Sequence, residues 1–414
     1  MPTYITGVSL FHLFILTKFK DCEQPLRKCL KEEFSSIYVF NLKGAIRGKS
    51  GDNAKKEGQN VFNIVTGVAI TILVKNQKAK THGHIYFHDI ESYLNREEKP
   101  KTIEDLHSIK GIDQQNGWQT IIPDKYNDWI NQRDDRFSDY ISLGDKKDKG
   151  SIAIFENYSN GLKTQRDAWC YNSSPSNLLN NMSSSIDFYN TELERYIKVN
   201  PKNTENFINF DSSKISWTRA LKWDLEKSKK AKFSNDNLIQ ATYRPFYKQW
   251  LYFDRQFNEM VYQIPQIFPT AKTKNKIIMI KQRWSGDGQF VLIMDCIPDL
   301  QSDGGSQCFP LYLYNNIESK AEDKGSLFAE EESTEPKQRD SITDKGLAHF
   351  AKAYPTETIS KEDLFYYIYG LLHSEDYRTR YADNLTKELP RIPAVKKVED
   401  FWHFSKAGRA LGKR

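Results

Sequence analysis

Apolar residues recur at two different periods along this chain. From Leu26 to Phe34 they fall three and four residues apart on an otherwise charged stretch, which predicts an amphipathic helix. Ile37 to Leu42 and Val68 to Val74 are short apolar runs of strand length, separated by a loop rich in Gly and Lys. Helix, strand, loop and strand in that order predict an α/β domain with a parallel sheet whose first strands lie elsewhere. A further strand is expected at Gly83 to His88, a polar helix at Ile90 to Glu98, and another helix from near Thr102. A strand at Trp118 to Pro123 and a helix at Asp124 to Tyr140 complete the block. The charged, turn-forming run Asp145 to Gly150 marks a domain boundary, so a second domain spans 150–414.

The pattern after the boundary is that of a mixed α+β domain. Ser151 to Phe155 and Tyr158 to Tyr171 hold apolar runs around Asn160-Gly161, a pair that predicts a tight turn. Leu178, Leu179, Met182, Ile186, Tyr189, Leu193 and Ile197 share one helical face. Tyr243 to Ile280 is dense in aromatics, prolines and short β-prone runs, as in irregular β structure. Glu318 to Asp340 has eight acidic and four basic residues with little apolar content, and is expected to be a mobile loop. Ser360 to Asp363 reads as a capping box ahead of a core-facing stripe of Leu364, Phe365, Ile368, Leu371 and Leu372. No internal repeat is present.

Composition narrows the class. The 414 residues suffice for two or three domains, and 38% hydrophobic with 28% charged residues describes a globular chain. Cysteines 22, 29, 170, 296 and 308 form no Cys-x-x-Cys pair, so neither a disulfide framework nor a zinc site is indicated. The apolar stretch Ile5 to Leu16 is shorter than the roughly 20 residues of a membrane span, and it has no basic leader or cleavage site. A cytoplasmic protein with reduced thiols is expected. Ser212 to Arg283 holds fifteen Lys/Arg against five Asp/Glu in a chain of net charge +6, so the remainder is slightly acidic. Such a segment is either a solvated face or the footprint of a phosphate-backbone binder.

Several candidate chemistries fail on spacing. Gly44 to Ser50 ends like a P-loop, but three residues rather than four separate its glycines, so a basic surface loop is the better reading. His82, His84 and His88 alternate on one side of a strand, yet no acidic or Cys partner stands at a ligand spacing. Nucleophile elbow, His-Glu-x-x-His, Asn-Pro-Pro-Tyr loop and glycine-rich cofactor turn are all absent from the sequence, so no catalytic residue is assigned. Tyr243 to Arg255 interleaves aromatic and basic residues. Its Arg244, Lys248, Gln249 and Arg255 suit phosphates and base edges, and its rings suit unpaired bases. The same run also reads as a core strand whose cations snorkel outward. Lys163 and Arg166 beside the Asn-Gly pair form a second candidate contact.

Long motifs then point to one family. They are Ile37 to Gly44; Lys56 to Phe62; Gly67 to Ile70; Tyr158 to Thr164; Tyr243 to Phe246; and Phe365 to Ser374. Together they make the chain, from about Leu26 to Ala410, resemble the C-terminal part of Type ISP restriction–modification enzymes. These are single polypeptides joining nuclease, helicase-like ATPase, adenine-N6 methyltransferase and target-recognition domains. The resemblance implies that 26–149 is the terminal part of the methyltransferase domain, in which Phe62, Thr66 and Gly67 line the target-base pocket and Phe62 stacks on a flipped adenine. It implies that 150–414 is the specificity domain, which reads double-stranded DNA.

Met1 to Cys22 does not resemble the family, whose cofactor-binding and catalytic-loop motifs lie upstream of the Leu26 position. The expectation is a DNA-binding fragment that by itself binds no S-adenosylmethionine, and no ATP or magnesium, which serve the full-length enzymes. An N-terminal methyltransferase/helicase/nuclease half would be its partner. The alternatives are one half of a split adenine methyltransferase, or an inactive pseudogene product.

Overall fold

The computed structural model describes residues 8–16, 24–46, 49, 51–146, 148, 150–282, 284, 286, 288–315 and 336–413. They divide into two compact units. The first draws on 1–139, 284–288 and 378–388, and the second on 140–283, 289–377 and 389–414.

In the first unit β1 (Val8–Leu16), α1 (Gln24–Glu33), β2 (Ser36–Asn41), β3 (Val68–Asn76), β4 (His84–Asp89) and β5 (Gln119–Ile121) build one sheet in the strand order β1-β3-β2-β4-β5. Leu30 of α1 and Phe34 just after it pack with Ile37, Val39, Ala69, Leu73 and Ile85 to form its core. The sheet is mixed: β2 and β4 run parallel, while the other neighbours are antiparallel. This corrects the expected parallel pairing of β2 with β3. The Leu42 N–H donates to the Val68 carbonyl and the Val68 N–H to the Lys43 carbonyl, so the intervening chain returns to where it left and closes an antiparallel pair. An apolar run carries no mark of direction. The divergent N-terminal segment supplies an unexpected strand, β1, which lies along β3 from Val8 opposite Asn76 to Leu16 opposite Val68.

Two predicted helices do not form, because short polar side chains capture the backbone. Asn95 accepts hydrogen bonds from the N–H groups of Glu97 and Glu98, so the helix starts at Glu98 and runs to Leu106, and Ile90 to Glu97 is irregular with two turns. Asp124 likewise accepts from Tyr126 and Asp128, while Asn127 and Asn131 take positive φ. Only the 3-10 turn Asp135–Asp139 is left of the expected helix. Within the new helix Lys99 is fully buried, its ammonium donating to the carbonyls of Leu42 (2.7 Å) and Glu57 (3.0 Å). Buried Asp128 gathers Arg27 at 2.6 Å, Lys387 at 2.9 Å and Arg133 at 3.1 Å.

The second unit is built on α2 (Pro175–Val199), α3 (Arg219–Glu226), the hairpin β6 (Leu238–Arg244) and β7 (Tyr247–Tyr252), and the helices α4 (Lys361–Leu372) and α5 (Val398–Leu411). The α2 stripe is buried as expected, except Leu179, which is half-buried, and Ile197 at the C-terminal end, which is exposed. The capping box at Ser360 and Asp363 is present, and its whole stripe is buried. One four-stranded sheet places Ile297–Pro298, β6, β7 and Tyr171–Asn172 side by side. A second places Val291–Met294, Ile277–Lys281, Ser306–Pro310 and Ser159–Asn160 side by side. Their inner faces and α2 share one core.

Asn160-Gly161 is not the predicted tight turn. The chain runs on extended, Leu162 donating to the Pro298 carbonyl and accepting from Leu300, and Lys163 pairing both ways with Met260. Gly161 is needed for closeness, since a Cβ there would strike the Ser306 hydroxyl and stand 2.7 Å from the Asp299 carbonyl oxygen. The expected acidic loop lies outside the described residues as far as 335. Its end, Gln338–Asp340, is a strand paired with Tyr312–Tyr314.

Two consequences are measurable. Helices α4 and α5 cross backbone to backbone, with Gly408 against the Tyr366 carbonyl and Gly370 against the Phe404 carbonyl. Gly408→Ala should therefore lower the unfolding free energy by about 1–3 kcal/mol, read as a drop in denaturant midpoint. Asp128→Ala leaves three cations without their shared carboxylate and should cost about 3 kcal/mol in the same assay, with its effect confined to the transition of the first unit.

Candidate nucleic-acid interface

The β6–β7 hairpin ends in a turn whose central residues are Pro245 and Phe246, with Arg244 opposite Tyr247 and a register shift just after it. Proline cannot donate to a ladder, and a turn this short requires left-handed backbone. Phe246 takes it, at φ 60°, and its ring is 88% exposed. A bulky residue held at positive φ with its ring in solvent is unfavourable both in backbone and in burial, so the feature points to a contact.

The flanking side chains are held in place. The Arg244 guanidinium lies 4.0 Å from the Tyr243 ring centroid, donates to the Tyr243 carbonyl at 2.6 Å, and stands 3.6 Å from the Asp299 carboxylate. Asp299 is buried and also accepts from the Tyr171 hydroxyl (3.2 Å) and the Gln301 N–H (2.8 Å). Burial pushes its carboxyl above the usual range. Tyr243 in turn donates to Asp167 at 3.2 Å, and Asp167 accepts from Thr164. Arg244 is thus a half-exposed cation braced by a buried carboxylate and a ring. Lys248 pairs with Asp295 at 2.7 Å, which holds its ammonium above the usual range, and Gln249 donates to the Tyr247 hydroxyl at 3.2 Å. Arg255 is exposed beyond the far end of β7.

Structure separates the other two candidates. Lys163 is half-buried, and its backbone pairing with Met260 sets it beside the 44% exposed Met260 side chain. Arg166, expected among the contacts, is instead 3% exposed, with its guanidinium donating to the carbonyls of Ser216 and Phe257 and to the Thr218 hydroxyl. Desolvated and fully engaged, it braces the loop from inside. Sequence reasoning included Phe246 among the rings of the Tyr243 to Arg255 run without singling it out, and passed over Asp299. The Pro-Phe pair between two β-prone runs was a usable signal for the first, whereas nothing local marks Asp299.

The first unit holds the second group of candidates. Asn60 organises the turn around Phe62: its side chain donates to the carbonyls of Thr66 (2.6 Å) and Gly44 (3.3 Å) and accepts from the Phe62 N–H (2.9 Å). Gly67 packs on Ala45, Thr66 is half-buried, and Phe62 points outward at 58% exposure. In the P-loop-like stretch, where Arg47, Gly48 and Ser50 lie outside the described residues, the N–H groups of Gly44 and Ala45 are taken by Glu57, which also pairs with Lys49. His88 stacks on Phe40 and bonds the Gly117 carbonyl, and His84 bonds Thr81.

No curated protein matches the chain. Residues 153–413 match the family described as the Type ISP C-terminal specificity domain. Among solved structures, the chain is similar to the ATP-dependent Type ISP restriction-modification enzyme LlaBIII bound to DNA, at 34% identity and a TM-score of 0.80, over 99% of this chain and 25% of that one. It is similar to a nuclease-deletion mutant of the Type ISP enzyme LlaGI in complex with a DNA substrate mimic, at 33% and 0.79, over 99% and 35%. The DrdV–DNA complex follows at 28% and 0.75, over 97% and 37%. The chain thus spans a quarter to little more than a third of these proteins. Matched over well more than half of its own length, it belongs to the Type ISP C-terminal specificity domain family.

Proposed function

We propose that the second unit recognises a sequence in double-stranded DNA as the specificity part of a restriction–modification system. The carrying observation is the hairpin tip, where an 88% exposed Phe246 stands between a braced Arg244 and the Tyr247-Lys248-Gln249 edge. A guanidinium fixed by a ring and a carboxylate keeps its outer N–H groups aligned for a guanine edge, and Gln249 offers the donor and acceptor an adenine requires. Phe246 suits contact with a thymine methyl or insertion at a base step. Lys163 and Arg255 supply phosphate contacts in this reading, and Arg166 supports the loop. The similar structures of LlaBIII and DrdV are complexes with DNA, and that of LlaGI is a complex with a DNA substrate mimic. In this reading the protein works in the cytoplasm, where its substrate is; among the described residues no helix is long and apolar enough to cross a membrane.

A second reading concerns the first unit, as the base-pocket side of an adenine-N6 methyltransferase. It is favoured by the rigid Asn60 turn that presents Phe62 outward with Thr66 and Gly67 behind it. Phe62 would stack on an extruded adenine. S-adenosylmethionine, ATP and magnesium would be held by an N-terminal methyltransferase/helicase/nuclease half rather than by this chain.

Selection of duplexes from a random pool by the purified chain should enrich one asymmetric motif. Arg244→Ala should then lose about 1–3 kcal/mol of discrimination at a single position and leave the others unchanged; failure of the wild type to enrich any sequence would sink the proposal. Calorimetric titration of S-adenosylmethionine into the chain alone should give no binding heat, and saturable binding would contradict the assignment of the methyl donor to a separate half.

A further inference from the structure

The part of the basic segment that precedes the hairpin, from Arg219 to Lys232, leads into its opposite end. Leu221 and Leu225 bury one face of α3 completely, while Arg219 and Trp223 stand in solvent. The Arg219 guanidinium lies 4.7 Å from the Trp223 ring centroid and the Lys222 ammonium 5.1 Å from that of Phe210, and these rings are 49% and 55% exposed. After α3 the chain turns at Ser228 (φ 55°) into Lys229-Lys230-Ala231-Lys232.

The backbone of this lysine loop is pinned from below. The Tyr189 hydroxyl of α2 donates to the Lys229 carbonyl at 2.8 Å, and Gln256 adds a second donor at 3.3 Å. Asn190 exchanges two hydrogen bonds with Ala231, at 2.9 and 3.0 Å, and Ala231 is buried. Lys227, Lys229, Lys230 and Lys232 are nevertheless exposed. Among them only Lys229 has a carboxylate partner within the described residues, Asp224 at 3.4 Å, and the nearby Glu226 is engaged by Thr204 at 2.7 Å. The pinned backbone concentrates four exposed lysines on one six-residue loop, where a polyanion is favoured over a small counterion.

We propose that α3 and the 227–232 loop form a second docking surface, which holds the phosphate backbone of the duplex whose bases the hairpin tip reads. This rests on the DNA-recognition reading above. The geometry matches one duplex. Phe233 stacks on Tyr252 at 5.8 Å and the Asn237 carbonyl accepts from Phe253, so the lysine loop meets the first residue of β6 while Arg244 ends it. A strand of seven residues separates the two surfaces by about 20 Å, which is about six base pairs of duplex. One surface carries exposed lysines and the other a fixed guanidinium with a reading edge, the division expected between contacts that position and contacts that specify.

The test uses the full chain, a random-sequence duplex, and phosphatidylcholine vesicles with and without phosphatidylserine. The triple variant Lys227→Gln, Lys230→Gln, Lys232→Gln should weaken duplex binding at low salt by about 10- to 100-fold and flatten the slope of log affinity against log salt by about 2 to 3. The thermal midpoint should be unchanged, and the corresponding triple Arg variant should recover the slope. A neutralised variant that binds the duplex with the wild-type slope overturns this inference and leaves DNA recognition standing. So does a variant that loses only binding to phosphatidylserine vesicles. A wild-type chain that binds no duplex at low salt removes both.

Discussion

The second unit depends on one close approach, the passage of Gly161 beneath Asp299 and Ser306. Because Gly161 has no side chain, the chain can run extended from Ser159–Asn160 in one sheet to Leu162, which hydrogen-bonds on both sides to the strand end at Pro298 and Leu300 in the other. One step further, Lys163 pairs with Met260. Three residues therefore tie together two sheets and the loop after the hairpin. A backbone so bonded is costly to displace, since each buried N–H or carbonyl set loose would lack a partner.

That tie explains how an exposed hairpin tip can be rigid. The Asp299 that crowds Gly161 is the carboxylate that fixes Arg244, and Thr164, two residues after Leu162, reaches Asp167 and through it Tyr243. The cation at the surface is thus wired to the buried crossing through two short polar paths. In the DNA-recognition reading this preorganisation lowers the cost of ordering a long side chain on binding. The lysine loop repeats the logic at the other end of β6, with Tyr189 and Asn190 of α2 taking the place of Asp299.

The hydrophobic pattern reported the regular elements faithfully wherever periodicity and capping agreed. The α2 stripe, the Ser360 capping box with its α4 helix, and the β-rich character of Tyr243 to Ile280 are all as the chain predicts. It misled where polar side chains competed with the backbone, as Asn95 and Asp124 do, and where a glycine served packing rather than turning, as Gly161 does. The candidate contacts divide along the same line. Arg244 and Lys248 stand exposed on the hairpin and Gln249 half-buried beside them, whereas Arg166, which has the same charge as Arg244, is buried.

By itself the sequence determined the class of the protein, the existence and type of its longer elements, and the location of its basic segment. Each of these follows from residue type and spacing along the chain. Only the tertiary structure decided the direction of β3 against β2, the burial of Arg166, the bracing of Arg244 by Asp299 from 55 positions away, and the placing of the 227–232 loop and Arg244 at opposite ends of one strand. Pairing direction and burial depend on which distant segment closes the gap, and no local pattern encodes that.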